Sequence, residues 1–276
     1  MKTLLCAIGR MENEYIREWV EYNKNVGFTN ICLYDNNHDG EQDFHDAIGD
    51  YIDSGYVILK DYRNRIVCQL EAYTECYSEY GNEYDWIAFF DCDEFIEVKF
   101  NNNINEYLSH DRFNNFYVIK LNWLVYGDND MLYNDGRPVL ERFKYPNPIY
   151  RDENNVTIKS IIRGGQKIDT GDGGFKFLNP HTTDLFPCCN NNGEEVYFYD
   201  SLVKINYDKA LLRHYTTKTA REYCDKIKRK FPDISYYTRT DEYQITNFFF
   251  SINEVTPEKV QIFKDVLNVD VSYLLK

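Results

Sequence analysis

At 276 residues with 43% apolar side chains, the chain can build a sizeable core, as one large α/β domain or two small ones. A formal net charge of −14 argues against wholesale nucleic-acid binding and means that a phosphorylated ligand would need a cation or a local basic patch. No apolar run approaches the ~18 residues needed to span a bilayer, so a membrane-spanning protein is not expected. Met1 to Ile8 leads straight into charge at Arg10, which does not read as a signal peptide, and the chain is read as cytoplasmic. The eight cysteines are scattered with no Cys-x-x-Cys pair, which fits reduced thiols and disfavours a zinc site.

The first ninety residues alternate strand and helix. Strands are expected at Thr3 to Ile8, Asn30 to Tyr34, Tyr56 to Asp61 and Trp86 to Phe90. Helices are expected at Asn13 to Asn25, ended by Gly27, at Gln42 to Asp53 and at Ile66 to Tyr80. This βαβαβαβ order implies a parallel sheet with right-handed crossovers. No Gly-x-Gly-x-x-Gly follows the first strand, so a dinucleotide fold is disfavoured. Phe116 to Val125 reads as a further strand, and residues 127–200 are loop-rich. Helices are expected at Thr219 to Lys230, Asp241 to Phe250 and Pro257 to Leu267, the last with Thr256 as its cap. The expected organisation is one continuous domain over 1–276: a nucleotide-binding half at 1–100, an acceptor half at 101–217 and a helical tail at 218–276.

The chemistry concentrates at Asp85-Trp86-Ile87-Ala88-Phe89-Phe90-Asp91-Cys92-Asp93-Glu94-Phe95, a buried strand that ends abruptly in acid. Ligands bind at the C-terminal edge of the strands in open α/β sheets. Two carboxylates one residue apart there can share Mg²⁺ or Mn²⁺, which accept oxygen ligands and bridge to phosphate oxygens. Solvated loop acids are the alternative. Asp35, just past the second strand, faces the same crevice, where it could hydrogen-bond a nucleoside or simply cap its own turn. Residues 213–230 hold seven basic residues against two acidic ones. That segment reads as a solvated helix face, as help for a diphosphate or an anionic acceptor, or as a contact for an anionic membrane surface.

Taken in order, these residues resemble the GT-A fold glycosyltransferases of families 2 and 92, more narrowly a bacterial group with an Asn-Glu start and an Asp-x-Asp-Glu-Phe core. The matching pieces are Asn13-Glu14 with Glu18-Trp19, Gly27-Phe28 leading to Tyr34-Asp35-Asn36, Gln69 with Ala72-Tyr73, and Asp85 to Phe95. Asn122-Trp123 with Tyr126-Gly127, Glu141-Arg142, Lys159, Pro180-His181, and His214-Tyr215 with Lys218 complete the set. The resemblance implies a Rossmann-like, mostly parallel sheet flanked by helices. It implies that Asp91 and Asp93 bind a divalent metal, Mn²⁺ or Mg²⁺, and the donor diphosphate, with His214 as a third ligand or a diphosphate contact. Asn13, Glu14, Asp35 and Lys218 would lie at the nucleotide. Trp123 and His181 would line the acceptor site. Cys92, inside the triplet, should point away from the metal.

The expected activity is transfer of a hexose from a nucleotide diphosphate sugar, UDP first, to a sugar hydroxyl in polysaccharide or lipopolysaccharide synthesis, with inversion. The partners are the donor and a carbohydrate acceptor, not nucleic acid, and the protein could lie peripherally at the inner membrane face. The base candidates are Asp128, Asp130, Asp172 and Asp184. Asp128 is preferred because Trp123 to Gly127 should carry it to the ligand edge. A sugar-phosphate nucleotidyltransferase should instead carry a Gly-rich basic loop after the first strand, and Gly9 to Glu14 is acidic. A noncatalytic carbohydrate- or calcium-binding module would not require the ordered set of pieces.

Overall fold

In the computed structural model, residues 1–146, 155–197, 202–228 and 242–275 are described. Arg229, Lys230 and Asp241, at the ends of two expected helices, lie outside them. The chain begins β1 (Thr3–Gly9), α1 (Asn13–Val26), β2 (Asn30–Asp35), α2 (Phe44–Asp53), β3 (Val57–Asp61), α3 (Gln69–Tyr80) and β4 (Trp86–Phe89). The expected alternation is realised with ends shifted by up to three residues. Gly27 ends α1 in the left-handed region (φ 105°) and donates its N–H to the carbonyls of Asn23 and Lys24. The α1 residues Ile16, Trp19 and Val20 are fully buried against the sheet, each contributing roughly 1.5–3 kcal/mol of apolar burial.

Beyond β4 come β5 (Glu94–Val98), α4 (Ile104–Leu108), β6 (Val118–Val125), α5 (Val139–Arg142) and β7 (Ile158–Arg163). Short strands β8 (Phe177–Asn179), β9 (Thr182–Thr183), β10 (Cys188–Asn190) and β11 (Glu195–Val196) precede β12 (Ala210–His214). The tail holds α6 (Ala220–Lys228), α7 (Glu242–Ile252) and α8 (Pro257–Leu267), and Thr256 caps α8 through the Lys259 N–H.

Among the described residues the main sheet has ten strands, ordered β11-β10-β6-β7-β4-β1-β2-β3, with β12 bridging β5 and β6. The four N-terminal strands are parallel, so their C-terminal ends share one edge, where Gly9, Asp35 and Asp61 stand in register. The apolar runs of β1, β2 and β4 are buried on both faces, as parallel strands between helix layers must be, while β3 at the sheet edge is only partly buried. β7 runs antiparallel to both β4 and β6, which returns its first residues to the edge where β4 ends. β12 lies parallel to β6 and antiparallel to β5, with His214 opposite Glu94 and Val125. This is the expected α/β architecture, a mostly parallel sheet flanked by helices. The strands β5, β7 and β12, which the sequence pattern did not disclose, complete the edge.

The tail helices share a core of their own, built on Tyr223, Cys224, Phe249, Val260 and Phe263. All eight cysteines are buried and none is in a disulfide. Among the described residues no helix is long and apolar enough to cross a membrane.

Candidate active site

The acids after β4 form a tight turn in which the Glu94 N–H donates to the Asp91 carbonyl (3.1 Å) and the Asp91 N–H donates to Glu94 Oε2 (2.8 Å). Cys92 turns inward, its sulfur packed in the core under Gly9 and Phe44, so Asp91 and Asp93 are left facing the crevice. The Trp19 indole N–H holds the Glu94 carbonyl at 2.8 Å, fixing the turn from beneath.

Each acid meets its own cation. The first residues of β7 bring Lys159, fully buried, to 2.8 Å from Asp91 Oδ1, which also accepts from Gln69 Nε2 at 3.0 Å and the Tyr73 hydroxyl at 3.4 Å. Asp93 Oδ1 stands 3.5 Å from His214 Nε2 on β12, and Asp93 Oδ2 stands 2.8 Å from Lys226 Nζ on α6. Burial alone would raise both aspartates. Lys159 outweighs it at Asp91, and Lys226 with His214 outweighs it at Asp93, so both stay ionised, Asp93 well below the usual carboxylate range. At Glu94 burial wins over Lys159, and its carboxyl is held well above that range. Three carboxyls thus sit side by side, two held low by their cations and one raised by burial.

Two ligands of one divalent cation lie roughly 3 Å or slightly more apart. The 3.5 Å between Asp93 Oδ1 and His214 Nε2 fits that spacing. Among the described residues no three His, Cys, Asp or Glu side chains converge into a full metal cage. An ion held here would therefore complete its shell with water and phosphate oxygens, which is how Mg²⁺-type ions are commonly bound.

The predicted acceptor residues adjoin this cluster. The Trp123 ring lies between His214 (centroids 4.2 Å) and His181 (5.3 Å), and its indole N–H is buried without a hydrogen-bond partner. The His181 Nδ1 is 3.0 Å from the Ile158 carbonyl and must donate its proton to it, leaving Nε2 as the ring's acceptor. Burial and the Lys159 charge push this imidazole down to about 4, so it is neutral near pH 7. Because the folded value lies below the ordinary 6.5, the unfolded chain takes up this proton first. Stability is therefore expected to fall as pH drops from 6.5 through 4. Thermal melting against pH should show a shallower decline in His181→Asn than in the parent over that window, and equal declines would remove His181 as the cause.

Other predicted residues are placed differently. Asp35 is 2% exposed, and its oxygens are taken by the Asn37 N–H (3.0 Å), Asn37 Nδ2 (2.7 Å) and Arg63 (2.9 Å). It makes the turn-capping bond given as its alternative, and a nucleoside contact would have to replace one of these partners. Asn13 ties the β1–α1 junction to the chain before α2 through Gln42 Oε1 and the Asp43 carbonyl, while Glu14 is exposed and bonded to Asn134. Lys218 is buried with its ammonium 4.3 Å from the Tyr15 ring centroid, adding its field to Asp93 without touching it. Arg213 turns from the site to pair with Glu97 at 2.7 Å.

Asp128, the expected base, is enclosed. Its carboxylate is fully buried, 2.7 Å from Lys259 of α8, and accepts the Asp130 N–H at 3.0 Å. Using it as a base would require breaking a buried ion pair, so it anchors the tail. Of the rival acids, Asp130 and Asp172 are largely exposed and Asp184 accepts the Lys176 N–H. The sequence pattern assigns no role to Lys159 and does not single out Lys226. The signal for Lys226 is its place in the basic segment. Lys159 is marked only as a piece of the family resemblance, without a role, and as a lysine in a largely apolar run.

The profile of glycosyltransferase family 92 matches residues 5–169, more than half of the chain and the stretch from β1 through β7 and beyond. The chain belongs to glycosyltransferase family 92. A family 92 protein of Ricinus communis is 26% identical over 102 residues, and one of Oryza sativa subsp. japonica is 23% identical over 104. Those alignments take in 37% and 38% of this family 92 chain but only 18% of each plant protein's length. Among solved structures, S. aureus TarS 1-349 in complex with UDP-GlcNAc is similar over 97% of this chain and 72% of that one, at 15% identity and a TM-score of 0.44.

Proposed function

We propose that this family 92 chain is a metal-dependent glycosyltransferase that moves a hexose from a nucleotide diphosphate sugar, with UDP as the first candidate nucleotide, to a sugar hydroxyl with inversion. The observation that carries the reading is the facing pair of Asp93 and His214, brought to the ligand edge by two strands far apart in the chain. Asp93 and His214 would hold the divalent ion, Mn²⁺ or Mg²⁺, with Asp91 beside them. Such an ion, when bound, would offset the negative charge that builds on the leaving diphosphate.

The chain's own groups supply the rest. Lys159 keeps Asp91 ionised and in place. Trp123 offers an aromatic face and an unsatisfied N–H to a sugar, and His181 offers a neutral ring nitrogen to a hydroxyl. With its value near 4, His181 is a poor proton acceptor, so its role is to position the hydroxyl. Asn13, Glu14, Asp35 and Lys218 surround the nucleotide end in this reading. Residues 1–100 then hold the donor, 101–217 the acceptor, and 218–276 brace the site within one domain. The bacterial grouping, the setting in polysaccharide or lipopolysaccharide synthesis and a peripheral position at the inner membrane face rest on the motif resemblance and the basic segment at 213–230.

The test is release of UDP from a panel of UDP-hexoses, with Mn²⁺ and with chelator. Metal-dependent release from at least one donor is the expected result. If UDP, GDP, CDP and dTDP sugars all remain intact in the presence of simple sugar acceptors, and none of these nucleotides binds, the transferase reading fails.

A further inference from the structure

Two lysines meet the acid cluster, and they differ in one respect. Lys159 lies inside the sheet with no exposed surface, whereas the Lys226 side chain is 24% exposed and stands in the last turn of α6. The helix itself is held elsewhere. Glu222 is gripped by both Arg142 guanidinium nitrogens at 2.8 and 2.9 Å and by the Tyr15 hydroxyl at 2.8 Å, and Tyr223 and Cys224 sit in the tail core. The backbone that carries Lys226 is therefore fixed, while its four-carbon stem is partly exposed. The negative charge of Glu12 also acts on the ammonium.

An ammonium 2.8 Å from Asp93 Oδ2 and a divalent ion on Asp93 Oδ1 would repel each other strongly at such short range. One of them must give way, and Lys226 is the one with a path to solvent. We propose that Lys226 is an exchangeable counter-ion. It neutralises Asp93 when no metal is bound, and it turns to the leaving diphosphate when a divalent ion is held by Asp93 and His214. This rests on the donor-site reading above and adds a residue to it. A lysine ammonium is a flexible point charge suited to phosphate oxygens, and from α6 it faces the same crevice as Asp93.

The exchange predicts opposite signs for two affinities, which a merely structural lysine would not produce. Calorimetry would measure Mn²⁺ alone, and UDP at saturating Mn²⁺, on the parent, Lys226→Gln and Lys226→Arg, with melting curves to confirm that each variant is folded. In Lys226→Gln, Mn²⁺ should bind about tenfold more tightly and UDP about tenfold more weakly, the scale of a single hydrogen bond to a charged group. Lys226→Arg keeps the charge and should stay near the parent in both. Both affinities falling together, or neither changing, would overturn the exchange while leaving the donor site intact. Absence of Mn²⁺-dependent UDP binding in the parent would instead remove the donor-site reading itself.

Discussion

Asp93→Asn is expected to abolish metal-dependent UDP binding and to lower sugar transfer by on the order of 10³-fold, the scale seen when a preorganised electrostatic contact to a transition state is removed. The carboxylate is the point where β4, β12 and α6 converge, with His214 at 3.5 Å and Lys226 at 2.8 Å on its two oxygens. An amide keeps the shape and removes the charge. His214 then faces a neutral group, and a divalent ion loses its anionic ligand. The same change leaves Lys226 without its partner, but that side chain reaches solvent, so the protein should remain folded. The check is calorimetry with and without Mn²⁺ beside a melting curve. A folded variant that still binds UDP in a Mn²⁺-dependent manner would show that Asp93 is not the metal ligand.

The second large effect concerns stability. Asp128 and Lys259 are each about 1% exposed in their side chains and lie 2.7 Å apart. Removing one partner of a buried pair leaves an uncompensated charge and typically costs about 3–5 kcal/mol. For a chain of this size that amounts to a fall in melting temperature on the order of 10 °C. Lys259→Met and Asp128→Asn should each show it, and Asp128→Leu combined with Lys259→Met should recover most of the loss, because an apolar pair replaces both charges. Urea unfolding of the parent, Asp128→Leu, Lys259→Met and the double variant forms the thermodynamic cycle. Below its melting temperature Asp128→Asn should retain transfer. Loss of transfer in a folded Asp128→Asn protein, with stability unchanged, would restore Asp128 as the general base and remove it as an anchor.

The aspartates at these two places mark how far local pattern reaches. Asp91 and Asp93 are legible because a central parallel strand is buried on both faces and therefore appears as an uninterrupted apolar run. Acids directly after such a run must emerge at the edge where ligands bind. Cys92 turns away as expected, because the tight turn closed between Asp91 and Glu94 directs its side chain into the core. Asp128 misleads because it too follows a strand, β6, at the same edge. Nothing local to it reveals that α8, more than a hundred residues later, delivers Lys259 to its carboxylate. Within the basic segment read as help for a diphosphate, His214 enters the site, and strand alternation sends its neighbour Arg213 to Glu97 instead.

By itself the sequence determined the alternation of strands and helices in the first ninety residues, the edge at which the acids emerge, and, through its ordered motifs, the resemblance to the family to which the chain belongs. Those features are written in local periodicity, because burial on one face or two is imposed residue by residue. Only the tertiary structure decided which cation answers which acid: Lys159 to Asp91 by the antiparallel return of β7, His214 to Asp93 by the pairing of β12 with β5, and Lys226 and Lys259 by the docking of the tail. Charges act over a few ångströms in space without regard to separation along the chain. Their partners are therefore chosen by how the strands and helices pack, which no local pattern records.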